Sequence, residues 1–235
     1  ILYEEGPCLV VCKPPGLLTQ APPGIDSLEG RIKQFLKQRD AKPGNVYLGV
    51  PHRLDRPASG AIVFARHVRA ARRIAEQFEY RRVEKVYWAC VEGSVSPDEG
   101  TWRDQVRKIP DMAQAEVVAA DHPDAREAVM HYRTLARFDW GTWLEIRLET
   151  GRMHQVRIQC SSRGHALLGD EQYGAARPFG IQYDDRRLRA IALHARSLDF
   201  DHPMTHHPVH VVAPLPEIWL EHGIDPSRAL SESPP

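Results

Sequence analysis

The chain contains both short apolar segments and amphipathic helical segments, but the strands and helices that they predict do not alternate regularly. Apolar runs at residues 8–11, 61–65 and 83–91 predict strands. Apolar residues at helical spacing predict a helix after Ser27, which caps its start, and a second helix at about residues 68–81. A doubly wound parallel sheet requires regular strand–helix alternation, so the order of these elements disfavours that fold.

The second half of the chain has weaker patterns. Alternating apolar residues predict a strand at residues 143–148, and a further strand is predicted at residues 191–200. A short helix is predicted at residues 152–163, where Gly164 ends it, and a last helix at residues 215–222. No element is assigned at residues 94–124, and residues 175–189 are predicted to form an irregular loop.

The length and composition indicate one domain that spans residues 1–225, followed by a flexible tail at residues 226–235. The formal net charge is zero, which argues against a protein that coats nucleic acid through bulk charge. No apolar run reaches the ~18 residues of a membrane span, and the start lacks the pattern of a signal peptide. The four cysteines form no CxxC pair, so we expect free thiols and a cytoplasmic protein. The chain begins with Ile1, which leaves room for an upstream module.

The loop at residues 52–60 carries the strongest chemical feature of the sequence. Asp55 lies between Arg53 and Arg56 and precedes an apolar segment. Neighbouring cations stabilise the ionised carboxylate, which is the form that a carboxylate nucleophile needs. An aspartate in a loop is also a common turn former, so the residues alone leave open a structural role in a surface ion-pair cluster.

Four segments of the chain carry motifs: residues 10–17 (VVCKPPGL), 52–60 (HRLDRPASG), 85–89 (KVYWA) and 150–157 (TGRMHQVR). In this order they resemble the signatures of RluA-type RNA pseudouridine synthases, which read V-NKP-x-G-L, HRLD-x-x-TSG, K-x-Y-x-A and TGR-x-HQ-[IV]-R. The likeness extends to about residue 219, which is nearly the whole chain.

The chain departs from these signatures at a few positions. Ala58 replaces the usual Thr, and Cys12 replaces the usual Asn. The loss of a hydroxyl at residue 58 is expected to alter the support of the loop rather than its chemistry. Lys13, in the first motif, is expected to be solvated, with a contact to phosphate as the alternative.

The resemblance implies an α+β fold with a mixed, largely antiparallel sheet, flanking helices and a central active-site cleft. It also implies three catalytic residues. Asp55 is the nucleophile, and Arg157 forms an ion pair that orients its carboxylate. Tyr87 provides a ring that stacks on uracil and a phenol for proton transfer.

The resemblance further implies residues that contact the RNA. Arg53 resembles the arginine that occupies the gap left by a flipped base. His52 is predicted to bind the substrate with it. Contacts to the RNA backbone or to loops are predicted for Arg152, His154 and Gln155, and a structural role is equally open for these three.

The implied reaction isomerises specific uridines to pseudouridine in structured ribosomal or transfer RNA. Uracil leaves C1′, rotates and rejoins through C5, so reactants and products contain the same atoms. No cofactor and no metal are therefore expected. RNA is the expected partner, without a membrane or an obligate protein partner, and the protein is predicted to be a monomer.

Two other classes of function remain open. A glycoside or nucleoside hydrolase also places a carboxylate near an anomeric carbon, and Asp170 is available as the second carboxylate that most glycosidases need. A non-catalytic RNA-binding module is the other class, although binding alone does not require Asp55, Tyr87 and Arg157 together.

A metalloenzyme is a further alternative because four histidines lie close together in the sequence, at His202, His206, His207 and His210. An HxxxH spacing binds zinc when it lies on a helix. Pro203 and Pro208 break any helix in this segment, so a solvated turn is favoured.

Overall fold

Two groups of strands and helices make up the computed structural model, which describes residues 1–41 and 43–225. Unit 1 consists of residues 1–85, 185–188 and 195–214, and unit 2 consists of residues 86–184, 189–194 and those from 215 onward. The predicted tail at residues 226–235 lies outside the described residues. The assignment of residues 1–225 to one domain stays a prediction.

In chain order the strands are β1 (Tyr3–Glu5), β2 (Cys8–Lys13), β3 (Ser59–Ala65), β4 (Glu84–Glu92), β5 (Glu99–Lys108), β6 (Ala115–Val118), β7 (Arg126–Phe138), β8 (Gly141–Leu148), β9 (Leu193–Asp201) and β10 (Pro208–Val212). The α-helices are α1 (Leu28–Arg39), α2 (Val68–Glu79), α3 (Gln155–Ser161) and α4 (Glu217–Glu221).

The sheet of unit 1 has the strand order β1-β2-β3-β9, and β10 pairs with β9. β1 and β3 both run antiparallel to β2, which places Val10 opposite Val63. These two valines share one apolar cluster with Ile74 of α2 and Phe200 of β9. β3 is buried along its whole length, as its uninterrupted apolar sequence predicts.

Side-chain caps define the starts of both helices in unit 1. The Ser27 hydroxyl accepts a hydrogen bond from the Gly30 N–H at 3.2 Å, as predicted for α1. His67 Nδ1 accepts one from the Ala70 N–H at 3.1 Å at the start of α2. α2 ends two residues before the predicted position, because Arg81 adopts a left-handed conformation with φ 56°.

The sheet of unit 2 has the strand order β4-β8-β7-β5-β6, and each neighbouring pair is antiparallel. A register shift interrupts the β7–β8 ladder between Thr134 and Ala136. The core of this unit contains three tryptophans, Trp88, Trp143 and Trp219.

These elements confirm the predicted α+β class with a largely antiparallel sheet. The patterns missed β1, β5, β6, β7 and β10, and the residues 94–124 that were left unassigned contain β5 and β6. α3 begins three residues later than predicted, whereas Gly164 follows its end in a left-handed conformation as expected. Among the described residues, no helix has the length and apolarity that crossing a bilayer requires.

Candidate active site

Asp55 lies in the loop that leads into β3 of unit 1. The residue is half-buried, so it is not sealed from solvent, and Arg53 is exposed two positions earlier. The Ala58 N–H donates a hydrogen bond to the Asp55 carbonyl oxygen at 3.1 Å, which closes a four-residue turn. The sequence predicted this loop.

Lys13, at the end of β2, is hydrogen-bonded to the backbone of this loop. Its side chain is completely buried, and Nζ donates to the carbonyl oxygens of Pro14 at 3.0 Å, Leu17 at 2.8 Å and Arg56 at 3.0 Å. Three carbonyl acceptors satisfy the three N–H groups of an ammonium. The expectation that Lys13 is solvated is therefore wrong, since this lysine ties the turn after β2 to the residue that follows Asp55.

Gly16 and Arg56 add two further bonds between the same segments. The Gly16 N–H donates to the Arg56 carbonyl oxygen at 2.9 Å, and Arg56 Nε donates to the Gly16 carbonyl oxygen at 2.9 Å. Gly16 has φ +78°, and a Cβ at this position would lie 2.8 Å from the Leu188 carbonyl oxygen. Glycine is required here both by conformation and by space.

Thr19 fixes the loop on the other side of Asp55. Its Oγ1 donates to the Leu54 carbonyl oxygen at 3.0 Å and accepts from the Leu54 N–H at 3.2 Å. Both residues are buried. The backbone is thus held at residue 54 and at residue 56, which limits the freedom of the carboxylate between them.

Burial lowers the pKa of Lys13 from 10.5 to about 7, and the nearby Asp55 carboxylate opposes this shift. The Arg56 guanidinium acts in the same direction as burial. The Asp55 carboxylate therefore favours the charged form of Lys13 within unit 1.

The His52 side chain packs against β3 and α2. Its Nε2 accepts a hydrogen bond from the Val63 N–H of β3 at 3.1 Å, and its ring stacks on Phe78 with centroids 4.3 Å apart. Burial lowers the pKa of His52 to about 3, so the ring is neutral at physiological pH. These contacts support the loop, and the predicted binding of substrate by His52 stays a prediction.

A second group of predicted residues follows β8 in unit 2. His154 precedes α3 with φ 52° and ψ 27°, a left-handed conformation that is uncommon outside glycine. The Gln155 amide stabilises this turn: Oε1 accepts from Thr150 Oγ1 at 2.8 Å and from the Arg152 N–H at 3.0 Å. Its Nε2 donates to the Val129 carbonyl oxygen at 3.0 Å. This buried network gives Gln155 the structural role that the sequence left open.

Arg157 is buried on α3 and bonded to Asp170. Its Nε and Nη2 each donate to one carboxylate oxygen at 2.7 Å, and Nη2 also donates to Gln172 Oε1 at 2.9 Å. The two charged side chains are 4% and 1% exposed. Such a paired and desolvated arrangement fixes the guanidinium in one orientation.

Tyr173 brings His154 and Arg157 together. Its hydroxyl lies 2.9 Å from His154 Nδ1, and the Arg157 guanidinium carbon lies 4.8 Å from its ring centroid. The Ala115 N–H donates to the same hydroxyl at 2.8 Å, so the Tyr173 hydroxyl joins Ala115 and His154. His154, just before α3, and Arg157, on α3, therefore both contact Tyr173.

Two remaining residues are positioned by strands of unit 2. Arg152 Nε donates to the Glu127 carbonyl oxygen of β7 at 2.9 Å, which anchors the guanidinium. Tyr87 is half-buried on β4, opposite Ile146 of β8.

Residues 7–162 match the family model described as RNA pseudouridylate synthase. The chain belongs to this family. It is 36% identical over 224 residues to the ribosomal large subunit pseudouridine synthase D of Xanthomonas campestris and 36% identical over 225 residues to that of Xylella fastidiosa. Each match covers 92% of this chain and 66% of the relative, so the chain spans just under two thirds of these proteins.

Solved structures show the same fold. Human RNA pseudouridylate synthase domain containing 4 superposes with a TM-score of 0.76 at 23% identity, covering 98% of this chain and 91% of the human chain. The resemblance drawn from the four motifs is thereby confirmed at the level of family and of fold.

Within this pseudouridylate synthase domain, the predicted site residues fall into two groups. His52, Arg53 and Asp55 lie in unit 1, and the remaining ones lie in unit 2, namely Tyr87, Arg152, His154, Gln155 and Arg157. The ion pair between Arg157 and Asp55 stays a prediction. A guanidinium has five N–H groups, so the bonds to Asp170 are compatible with a second acidic partner.

The sequence reading missed the residues that support the site. Lys13 and Thr19 hold the Asp55 loop, and Tyr173 positions His154 and Arg157. Lys13 follows five apolar residues, Cys8 to Cys12, and this run is a signal that the lysine enters the core. The others carry no comparable local signal.

The histidine cluster of unit 1 differs from its predicted form. His202 is 2% exposed and not solvated, and His210 is exposed but lies on β10 rather than in a turn. His206 and His207 are exposed, as expected for a turn. Ligand atoms of Glu5, His202 and His207 lie within 4.8 Å of one another. However, His202 Nδ1 accepts from the Thr205 N–H at 3.2 Å, and Nε2 lies 3.2 Å from the Glu5 carbonyl oxygen. Both ring nitrogens are used within the protein, so the cluster supports no metal assignment.

Proposed function

We propose that this protein isomerises uridine to pseudouridine in RNA, and that its substrate is the large-subunit ribosomal RNA. Family membership and the names of the relatives support the reaction and the substrate. The observation that carries the proposal is the half-buried Asp55, whose loop is fixed on both sides by the buried residues Lys13 and Thr19.

Asp55 acts first in the proposed reaction. Its carboxylate either attacks C1′ of the uridine or assists the loss of a proton from the sugar, and the N1–C1′ bond breaks. The detached uracil, protonated at N1 on leaving, rotates and forms a bond from C5 to C1′; the Asp55–C1′ bond breaks in the first route, and the sugar proton returns from Asp55 in the second. A base then removes the C5 proton, and Tyr87 is the proposed group. Atoms and charges balance without a redox step, ATP or a metal.

The target uridine leaves its stack before it reacts. Extrusion of a base costs a few kcal/mol, least in loops and single strands. The exposed Arg53 fills the gap in the RNA, and Tyr87 stacks on the extruded uracil, so both offset this cost.

Arg157 stabilises the anionic form of Asp55 in the proposed site. Its guanidinium is already oriented by Asp170, so little side-chain entropy is lost when it engages a further anion. Arg152 and His154 are proposed to contact the RNA backbone near the target. We also propose that the protein works as a monomer and without a cofactor.

The hydrolase alternative has one observation against it. Both carboxylate oxygens of Asp170 are bonded to Arg157, and its side chain is 1% exposed. A buried, doubly bonded carboxylate cannot act as the second acid or base that most glycosidases require.

The test uses a large-subunit ribosomal RNA transcript labelled with tritium at uridine C5. Wild-type protein is expected to release tritium and to form pseudouridine, as identified by mass spectrometry of the digested RNA. Asp55→Asn keeps the shape and loses the charge, so it is expected to bind the transcript and to release no tritium. Tyr87→Phe is expected to bind but to stall after glycosidic cleavage.

Asp26→Asn is the matched control, since Asp26 is an exposed aspartate of the same unit that pairs with Arg31. It should retain wild-type turnover. Release of free uracil would establish the hydrolase instead, and binding without either product would establish the non-catalytic module.

A further inference from the structure

A cavity of about 370 Å³ lies within unit 2, where the end of β5 meets the turn that precedes α3. Its lining includes Lys108 of β5, Arg126 of β7 and Arg152 and Met153 of the turn. Ligand sites in proteins commonly occupy about 300–1,000 Å³, so the space is of a size to hold one small ligand or one nucleotide.

The cavity has an excess of positive charge. Within residues 1–41 and 43–225, Lys108, Arg126 and Arg152 form no ion pair, whereas the lining residue Arg107 is neutralised by Glu116 at 2.5 Å. Asp124 is the single acidic residue of the lining. Three cations against one carboxylate attract an anion, and the overall neutrality of the chain makes this local excess distinctive.

The rest of the lining is apolar. Val106 and Ala115 are each 2% exposed and form its apolar floor, and the Met153 side chain is 36% exposed. A methionine side chain is unbranched and polarisable, so it adapts to the shape of a ligand. A nucleotide has the matching character, with an anionic phosphate at one end and flat, largely apolar faces on its base.

Hydrogen bonds connect the cavity to the candidate site. Ala115 lines the cavity, and its N–H donates to the Tyr173 hydroxyl that contacts His154. Arg152 is anchored to the Glu127 carbonyl oxygen of β7. The cavity therefore lies beside residues already proposed to contact RNA, and its cations are supported by the same strands.

We infer that this cavity binds a nucleotide of the substrate RNA that flanks the target uridine. Its phosphate contacts Lys108, Arg126 and Arg152, and its base or ribose lies on Met153 and the apolar floor. This subsite rests on the proposed function, and it adds Lys108, Arg126 and Asp124 as residues that determine how the RNA is held.

The test is the double variant Lys108→Gln/Arg126→Gln in the tritium-release assay. It should raise KM about tenfold, and the loss should fall on KM rather than on kcat. The slope of log affinity against log salt should decrease by about 0.7 for each phosphate contact that is lost. Lys37→Gln, which removes one exposed charge from α1, is the control and should leave the slope unchanged.

Two further variants test the role of charge, one by strengthening RNA binding and one by restoring it. Asp124→Asn removes the opposing carboxylate and should tighten RNA binding. The charge-preserving pair Lys108→Arg/Arg126→Lys should restore most of the affinity that the glutamine variants lose.

An unchanged KM and salt slope in the glutamine double variant, in protein whose wild type forms pseudouridine, would overturn the subsite and leave the proposed function intact. A wild type that forms no pseudouridine would instead overturn the proposed function. Weakened binding by Asp124→Asn would also contradict the subsite.

Discussion

Removing the Asp170 carboxylate should destabilise the protein strongly. Arg157 and Asp170 are joined by two bonds of 2.7 Å, and their side chains are 4% and 1% exposed. Loss of one partner from a buried pair leaves an uncompensated charge and costs about 3–5 kcal/mol. At about 2–4 °C per kcal/mol for a chain of this size, Asp170→Ala should lower Tm by about 10 °C.

The assay is thermal and urea unfolding of Asp170→Ala and of a double-mutant cycle that contains Asp170→Leu, Arg157→Met and both changes together. Removing both charges with apolar residues of similar volume should recover most of the lost stability, because neither charge is then left unpaired. The coupling energy should reach about 3 kcal/mol. The recovered double variant should still be inactive, since the proposed reaction needs the Arg157 cation.

A matched control comes from a more exposed pair in the same unit. Arg163 and Asp104 are bonded at 2.8 Å, but their side chains are 28% and 14% exposed. Asp104→Ala should therefore cost clearly less than Asp170→Ala. Additive effects within about 0.5 kcal/mol in the Arg157–Asp170 cycle would refute the reasoning that these charges are desolvated and coupled.

Three further predictions concern the support of the Asp55 loop. The pKa of Lys13 is lowered from 10.5 to about 7, so the unfolded chain binds more protons than the folded protein between these pH values. The unfolding free energy of wild type, measured by urea titration, should therefore rise with pH relative to that of Lys13→Met, by up to about 5 kcal/mol. Parallel curves of unfolding free energy against pH for the two proteins would contradict this prediction. Thr19→Val should cost about 2–3 kcal/mol and lower kcat, since both Leu54 backbone groups lose their partner, whereas Thr19→Ser should be near wild type in both measurements. Gly60→Ala should prevent folding, because the added Cβ would lie 2.3 Å from the Ala195 carbonyl oxygen. Gly24→Ala is the control, since Gly24 also has a positive φ but no atom beyond its chain neighbours within 4 Å of the added Cβ, and it should give folded protein by circular dichroism. A folded Gly60→Ala would disprove the packing argument.

Elements with strong local patterns were predictable from the sequence. Ser27 caps α1 as expected, and β2 and β3 follow from apolar runs that are buried throughout. β5 was missed because only Trp102 and Val106 of its ten residues are buried, so the exposed side chains hide the strand period.

The support of the candidate site was not predictable from the sequence. The motifs named Asp55 and the residues around α3 because these residue types occur in the RluA-type signatures, and their chemical roles stay predictions. The partners of Lys13 are backbone carbonyl groups, which every residue has, so the sequence does not reveal which ones it contacts. Asp170 was treated as a possible catalytic acid, and its bidentate bond to Arg157 is visible only in three dimensions.

The most direct measurement is a pseudouridine map of total cellular RNA from cells that lack the gene and from the same cells supplied with wild-type or Asp55→Asn protein. Specific uridines of large-subunit ribosomal RNA should lose the modification without the gene, regain it with wild type and stay unmodified with the asparagine variant. A map that does not change on removal of the gene, or one that the asparagine variant restores, would contradict the assignment of an aspartate-dependent pseudouridine synthase.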